Sequence, residues 1–415
     1  MIKNTLVYQK IAEQNNTQLL NADVIIIGAG LVGLAAAIAL AEQDKNVVLV
    51  SNHKLVPSYK PAAQAKVNTW DERVYALTPA AESWLSAIGV WDNVDKTRVS
   101  NIDAMQVWGA DSELLLKAED ANLAKLGLII ENQNLMAALW QKIEALDVTV
   151  ITDAECVNIE YTSADIALLL ESKLDKSLTK LVTKLIVAAD GTQSWVRQKL
   201  NIGIAQKNYQ QTAIVANFIA EKPHNQIARQ WFEKHDTLAL LPLPNQHVSM
   251  VWSLSTDQAT ELLLLPAEEL SSRVQAQSKH SLGQLTLISQ IKSVELRQQT
   301  ATQLIAERTV FVGDAAHQIH PMAGQGVNLG FRDVMKLTEL SAKLHAMQDI
   351  GDTGFLRQYE RARKADMIAM NYLTTGLDYL FASEQTWLTK LTQFGLKQIN
   401  QRSSIKKRLI QHAVS

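Results

Sequence analysis

The chain has 415 residues, 47% apolar and 20% charged. That balance is ordinary for soluble proteins and excludes disorder, collagen-like repeats and fibrous architecture, while the length allows two or three domains with large cores. Forty Lys and Arg against 42 Asp and Glu leave a net charge of −2, so a whole-surface nucleic-acid binder is excluded. The single cysteine, Cys156, rules out an intrachain disulfide framework and a Cys-rich metal or iron–sulfur site.

Residues 1–22 read as a polar extension of mixed charge, without the apolar core of a signal peptide. With the lone cysteine, this leads us to expect a cytoplasmic protein. Val24 to Ala41 carries no charge and reaches the lower limit for a membrane span. Asp23 and Glu42 flank it, however, without basic or aromatic anchors. Isoleucines before Gly28 and Gly30 suit a strand and turn better. We therefore expect a buried parallel strand at Asp23–Ile27, a tight turn, and a helix from about Leu31 to Gln43.

Glycine is scarce, 17 in all, against roughly 29 at average usage. Seven of the 17 fall in two short stretches. The first is Gly28-Ala29-Gly30-Leu31-Val32-Gly33, between a strand and a helix, the context required of a dinucleotide fingerprint. Gly28 permits the turn, Gly30 lets a pyrophosphate approach the helix N-terminus, and Gly33 lets the helix lie close on the strand. A second strand is expected at Val47–Val50. An acidic residue normally follows it, to hold the adenosine ribose; here Ser51 stands in its place. A charge-assisted bond becomes a neutral one, a loss of roughly 1–2 kcal/mol.

The second segment runs from Leu185 through Asp190-Gly191 to Arg197 and by itself reads as a strand, a turn and a helix cap. The third, Thr309 to Gly330, is a short apolar strand ending in Gly313-Asp314, then a loop with Pro321, Gly324 and Gln325, then a helix from near Gly326 to Met347. Donors at that helix start, around Gly326, Val327 and Asn328, would face an anion or an electron-rich oxygen, and Asp314 could accept from sugar-alcohol hydroxyls. His317 and His320 invite a metal reading, but Pro321 follows at once, so we expect them to fix loop geometry and expect no metal.

The three segments, in this order, resemble the flavin-dependent aromatic hydroxylases of the p-hydroxybenzoate hydroxylase type, and the chain from about Asp23 onward is similar to the ubiquinone-biosynthesis hydroxylases among them. Further stretches carry the likeness: Asp71 to Thr78, Gly89-Val90-Trp91, Met105 to Trp108, Gln230-Trp231-Phe232, Leu240 to Leu243, and above all His320 to Gly330. Ser51 is the mismatch, since the family usually has glutamate. The resemblance implies FAD held by Gly28, Gly30 and Gly33 at its ADP half. Asp190 and Gly191 would serve FAD and the nicotinamide nucleotide, and Gly313 and Asp314 the ribityl chain. Backbone N–H groups from Pro321 to Asn328 would stabilise the flavin N1–O2 edge, and Arg73 would face a pyrophosphate or the incoming NAD(P)H. It further implies O2 activation through a C4a-hydroperoxyflavin and hydroxylation of a polyprenylated phenol.

The implied fold class is α/β, with a Rossmann-like FAD-binding domain (GR2-type, discontinuous), an antiparallel β-sheet substrate domain and a helical C-terminal region. We place the FAD domain at 23–75, 125–202 and 300–345, the substrate domain at 76–124 and 203–299, and the helical region at 346–415. Alternating runs at Ala213–Ile219, Leu238–Leu243 and Val248–Leu254 read as antiparallel strands. Trp231, Phe232, Leu241 and Trp252 are candidates for the pocket floor. Phe355 to Lys364 reads as a solvated helix face. Residues 385–415, with six Lys or Arg and no acid, suit a peripheral contact with the inner face of a membrane or an acidic partner such as a biosynthetic enzyme complex. Two other readings remain open: a hydroxylase of a small soluble aromatic acid, and a flavin-poor scaffold member of such a complex.

Overall fold

The structure is a computed structural model that describes residues 18–53, 70–109, 112–162, 164–233, 236–318, 326–345, 348–382, 406–407 and 410–411. The first strand spans Gln18–Ile27 and begins earlier than its apolar core suggests, because Gln18 to Ala22 continue the ladder with Thr179 to Thr183. The helix Leu31–Ala41 follows after a three-residue turn. The uncharged run is thus split between a strand and an 11-residue helix. No helix among the described residues is long and apolar enough to cross a membrane.

The strands Thr309–Phe311, Leu178–Ala188, Gln18–Ile27, Val47–Val50 and Val148–Ile151 lie side by side and parallel in an eight-stranded sheet. Both faces are covered, so Val24 to Ile26, Val47 to Val50 and Leu185 to Ala188 are buried without alternation, as parallel sheets require. The helix Leu31–Ala41 carries five alanines and is buried along nearly its whole length. Small side chains let it press onto the sheet.

A nine-stranded sheet is built mainly on antiparallel ladders among Ile204–Ala220, His247–Ser255, Asp236–Pro242 and Ile227–Glu233. Ala104–Gly109 joins it in parallel beside Ile227–Glu233, and Ser112–Lys117 closes that edge. One face packs on the helices Thr256–Leu263 and Ala267–Gln277, enclosing Trp231, Leu238, Leu240, Met250 and Trp252. The opposite face carries Ala228, Ala239, Leu241 and Leu243 toward Ile102, Leu126 and Ile129. A three-stranded sheet, Val74–Leu77, Gly127–Glu131 and Val99–Ile102, stands between the two large ones.

The helix opened by Gly326 ends at Ser341, a turn and a half short of Met347. The helix Thr353–Ala382 follows. Phe355 to Lys364 is not simply a solvated face. Arg363 is buried against Asp333, with Nε 2.7 Å from Oδ1, and Tyr359 is fully buried with its hydroxyl donating to Phe311 O at 2.9 Å. Most of 385–415 lies outside the described residues. Of the part described, Ile410 is buried and Lys406 Nζ donates to Leu115 O at 2.7 Å, so these two residues turn toward the protein.

Candidate functional site

Parallel register brings the three distant segments together. Ile27 pairs with Val50 and Ala188, and Ala188 with Phe311. The next residues of each strand, Gly28, Ser51, Ala189-Asp190 and Val312-Gly313, therefore emerge along one carboxyl edge, where open α/β sheets bind ligands. Gly28 has φ +108°, and a Cβ there would lie 2.3 Å from Ala189 O; a Cβ on Gly33 would lie 1.9 Å from Gly28 O. Both positions bar any side chain because backbone meets backbone. Gly30 and Gly326 differ, since a Cβ on either meets no atom within 4 Å among the described residues. The two helices they open touch where Gly330 meets Val32. Two helix N-termini, each with orphan N–H groups and positive dipole ends, thus border one open cradle.

Asp190 accepts the Val196 N–H through Oδ2 at 3.1 Å, while its buried Oδ1 has no partner among the described residues. Burial raises its carboxyl above the usual range, against the opposing pull of Ser194 and the Val196 N–H. An unpaired buried acceptor costs free energy unless something outside the chain supplies a donor. Asp314 is exposed at the carboxyl edge of the sheet. Desolvation raises its carboxyl, opposed by the charges of Arg73 and His317.

Arg73 is exposed, with its guanidinium 5.4 Å from the centre of the Tyr75 ring. Glu72 pairs with Lys292 instead, and Asp71 receives the N–H groups of Arg73 and Gln133. Tyr75 escaped the sequence reading. Its hydroxyl lies 3.4 Å from Asn132 Oδ1, and burial pushes its pKa up to about 12, against the charge of Arg73. Ser51 is buried, and its hydroxyl turns back on its own loop, donating to His53 O at 3.0 Å and accepting the His53 N–H.

The ties made by other residues were also missed. Arg197 bridges the second and third segments, donating to Thr192 O at 2.6 Å and Ala315 O at 2.8 Å. His317 lies in no cluster of metal ligands among the described residues. It meets Asp333 Oδ2 at 2.7 Å, and the same oxygen accepts the Gly313 N–H at 2.8 Å. Burial alone would raise Asp333, but His317, Arg363 and the Gly313 N–H overcome it and hold the carboxyl below its ordinary value. A charge 30 residues from its partner has no local signature in sequence. His320, Pro321, Gly324 and Gln325 lie outside the described residues.

The Asn328 side chain is committed to the protein, not to a ligand. Nδ2 donates to Ala76 O at 2.7 Å and Oδ1 accepts the Thr78 N–H at 3.1 Å. This clamp joins the helix opened by Gly326 to a cavity whose walls include Ala76, Thr78, Met105, Gln230, Leu241 and Ile410. Only Leu241 of the four expected floor residues lines it. Trp231 and Trp252 are directed to the opposite face by the two-residue period of their strands. Trp231 stacks on Trp108 there at 4.7 Å, and both tryptophans sit in the helix-covered core. Phe232 packs instead beside Val107 and Leu114. Arg229, unforeseen, lines the cavity, and its Nη1 donates to His224 O and Ile227 O.

Residues 21–371 match the family described as "FAD binding domain". The chain is 31% identical to the mouse protein named ubiquinone biosynthesis monooxygenase COQ6, mitochondrial, over 94% of this chain and 90% of that one. It is also 31% identical to ubiquinone hydroxylase UbiL of Rhodospirillum rubrum, over 95% and 89%. The fold matches that of p-nitrophenol 4-monooxygenase PnpA from Pseudomonas putida with a TM-score of 0.75 at 16% identity, covering 96% and 99% of the two chains. The open cradle at Gly30 and Gly326 and the orphaned Asp190 oxygen suit a cofactor with a pyrophosphate and hydroxyl donors. The chain belongs to the family of FAD-dependent monooxygenases that includes the ubiquinone-biosynthesis hydroxylases.

Proposed function

We propose that this enzyme hydroxylates the ring of a polyprenylated phenol on the route to ubiquinone, with NAD(P)H as electron donor and O2 as oxidant. The observation that carries this reading is the apolar cavity clamped by Asn328 against the helix N-terminus beside the nucleotide edge. Bound FAD supplies the redox and oxygen-transfer chemistry. Gly28, Gly30 and Gly33 receive its pyrophosphate half at the first helix start, with Ser51 beside the ribose. Asp190-Gly191 and Gly313-Asp314 take hydroxyls of the cofactor, and the N–H groups of Gly326, Val327 and Asn328 offer donors to its electron-rich ring edge. Arg73 faces a phosphate of the cofactor or of the donor nucleotide. Residues 23–75, 125–202 and 300–345 form the unit that binds FAD, and 76–124 with 203–299 the unit that binds the phenol. The apolar walls keep water from the reacting atoms, as oxygen transfer requires. A phenol with a long isoprenoid tail partitions into bilayers, so the enzyme works at a membrane surface.

A second substrate class is a small aromatic acid, with its carboxylate on the Gln230 amide of the cavity wall. The deciding experiment is reconstitution with FAD and NADH or NADPH, followed by oxygen uptake. Stimulation by a prenylated phenol with formation of a hydroxylated product is expected. Stimulation by aromatic acids alone would establish the alternative.

A further inference from the structure

Three polar side chains stand among the described walls of the cavity, Thr78, Arg229 and Gln230, and they are not alike. Thr78 is committed to the fold: its Oγ1 accepts the Ala81 N–H at 3.2 Å and caps the helix Pro79–Ala87. Arg229 is committed too, since its Nη1 donates to His224 O at 3.0 Å and to Ile227 O at 3.3 Å. The Gln230 side-chain amide has no hydrogen-bond partner among the described residues, although the residue is only 7% exposed.

The strand ladders explain where Gln230 stands. It lies opposite Ala239, and Ala228, two residues back, shares its face. Both alanines line the cavity with it, and neither side chain is long enough to cover the amide. Met105, beside Ala228 in the parallel ladder, and Leu241 continue an apolar surround. An amide nearly withdrawn from water and unpaired costs the folded chain free energy that an apolar side chain of its size would not. An oxygen brought in by a ligand would complete the pairing. The group also selects: it can donate to a phenol oxygen and accept from a phenol hydroxyl, but being neutral it supplies no charge to balance a buried carboxylate.

We propose that the Gln230 amide is the specificity-determining contact of the phenol site: it pairs with the hydroxyl on the ring and thereby fixes which ring carbon faces the cofactor. This rests on the prenylated-phenol reading above.

The test uses full-length, FAD-loaded protein and two probes of like shape, 2-prenylphenol and prenylbenzene, titrated against the wild type and Gln230→Leu. Loss of one buried hydrogen bond corresponds to about tenfold in affinity. The variant should therefore bind 2-prenylphenol about tenfold more weakly and prenylbenzene as the wild type does. Without a probe it should melt at or above the wild-type temperature, because leucine is close to glutamine in size and leaves no polar group unpaired. Equal loss for both probes, or loss for neither, would overturn the contact. So would a melting temperature several degrees lower, which would show that the fold itself uses the amide. Turnover gives a second measurement. Gln230→Asn draws the amide back by one methylene and should yield a second hydroxylated isomer from 2-prenylphenol; a single product identical to that of the wild type would overturn the ring-orienting role. Wild-type protein that binds 4-hydroxybenzoate but not 2-prenylphenol would defeat the prenylated-phenol reading, and this inference with it.

Discussion

The carboxyl edge of the parallel sheet and the cavity face of the antiparallel sheet are both walls of the site, yet they are built on opposite rules. The nucleotide edge is held by backbone meeting backbone, Gly28 against Ala189 and Gly33 against Gly28, with the Asp333 carboxylate accepting the Gly313 N–H behind it. The cavity face is held by side chains whose direction alternates along each strand, so Leu241 faces the space and Leu240 faces the helices. The first kind of wall tolerates no added atom. The second tolerates exchange of shape and size, which under the proposed function is where substrate preference would reside.

The sharpest way to break this contrast is to add one methyl group in two places. Gly33→Ala drives a Cβ into Gly28 O and should cost about 3 kcal/mol or more of stability, with loss of soluble protein. Gly30→Ala meets no atom among the described residues and should melt like the wild type while binding FAD more weakly. Thermal melts beside flavin titration separate the two. Equal destabilisation would show that Gly30 is only a packing residue.

Next in size is the buried network behind the edge. Asp333→Asn leaves Arg363 with a weakened partner in a site from which water is excluded and should destabilise by about 3–5 kcal/mol. The folded-state pKa of Asp333 is depressed, so its contribution is present above the ordinary carboxylate value near pH 4 and lost as pH falls through the lower folded value. Urea midpoints of the wild type should therefore fall steeply below about pH 4, and those of the variant less so. Parallel acid limbs would remove Asp333 from the explanation.

The smallest expected effects lie on the cavity sheet. Leu241→Phe should raise KM for the phenol severalfold with little change in melting. Trp231→Phe, which disturbs stacking on Trp108, should cost about 0.5–1.5 kcal/mol of stability and leave KM unchanged. The reverse pattern would mean that the phenol lies on the helix-covered face.

The nucleotide edge was legible because its requirements are local. Gly28, Gly30 and Gly33 declare themselves by spacing, and uninterrupted apolar runs such as Val47–Val50 declare strands buried on both faces. The substrate strands could be found by alternation, but the aromatic residues drew attention as pocket candidates when size favoured the packed core. Trp231 and Trp252 fill the wide gap between sheet and helices. Tyr75, Arg197, Asp333 and Arg363 gave no signal, since each acts on a group that is distant in sequence or belongs to the main chain.

From its residues alone, this chain determines a strand–turn–helix that meets a nucleotide and two further strand ends that can join it, because steric limits on the backbone act within a few residues of their cause. Only the tertiary structure decided which face of the antiparallel sheet borders the cavity and that Ile410 lines that space. Those outcomes depend on which surfaces find each other once the sheets pack, and side-chain direction in a strand reverses with every residue.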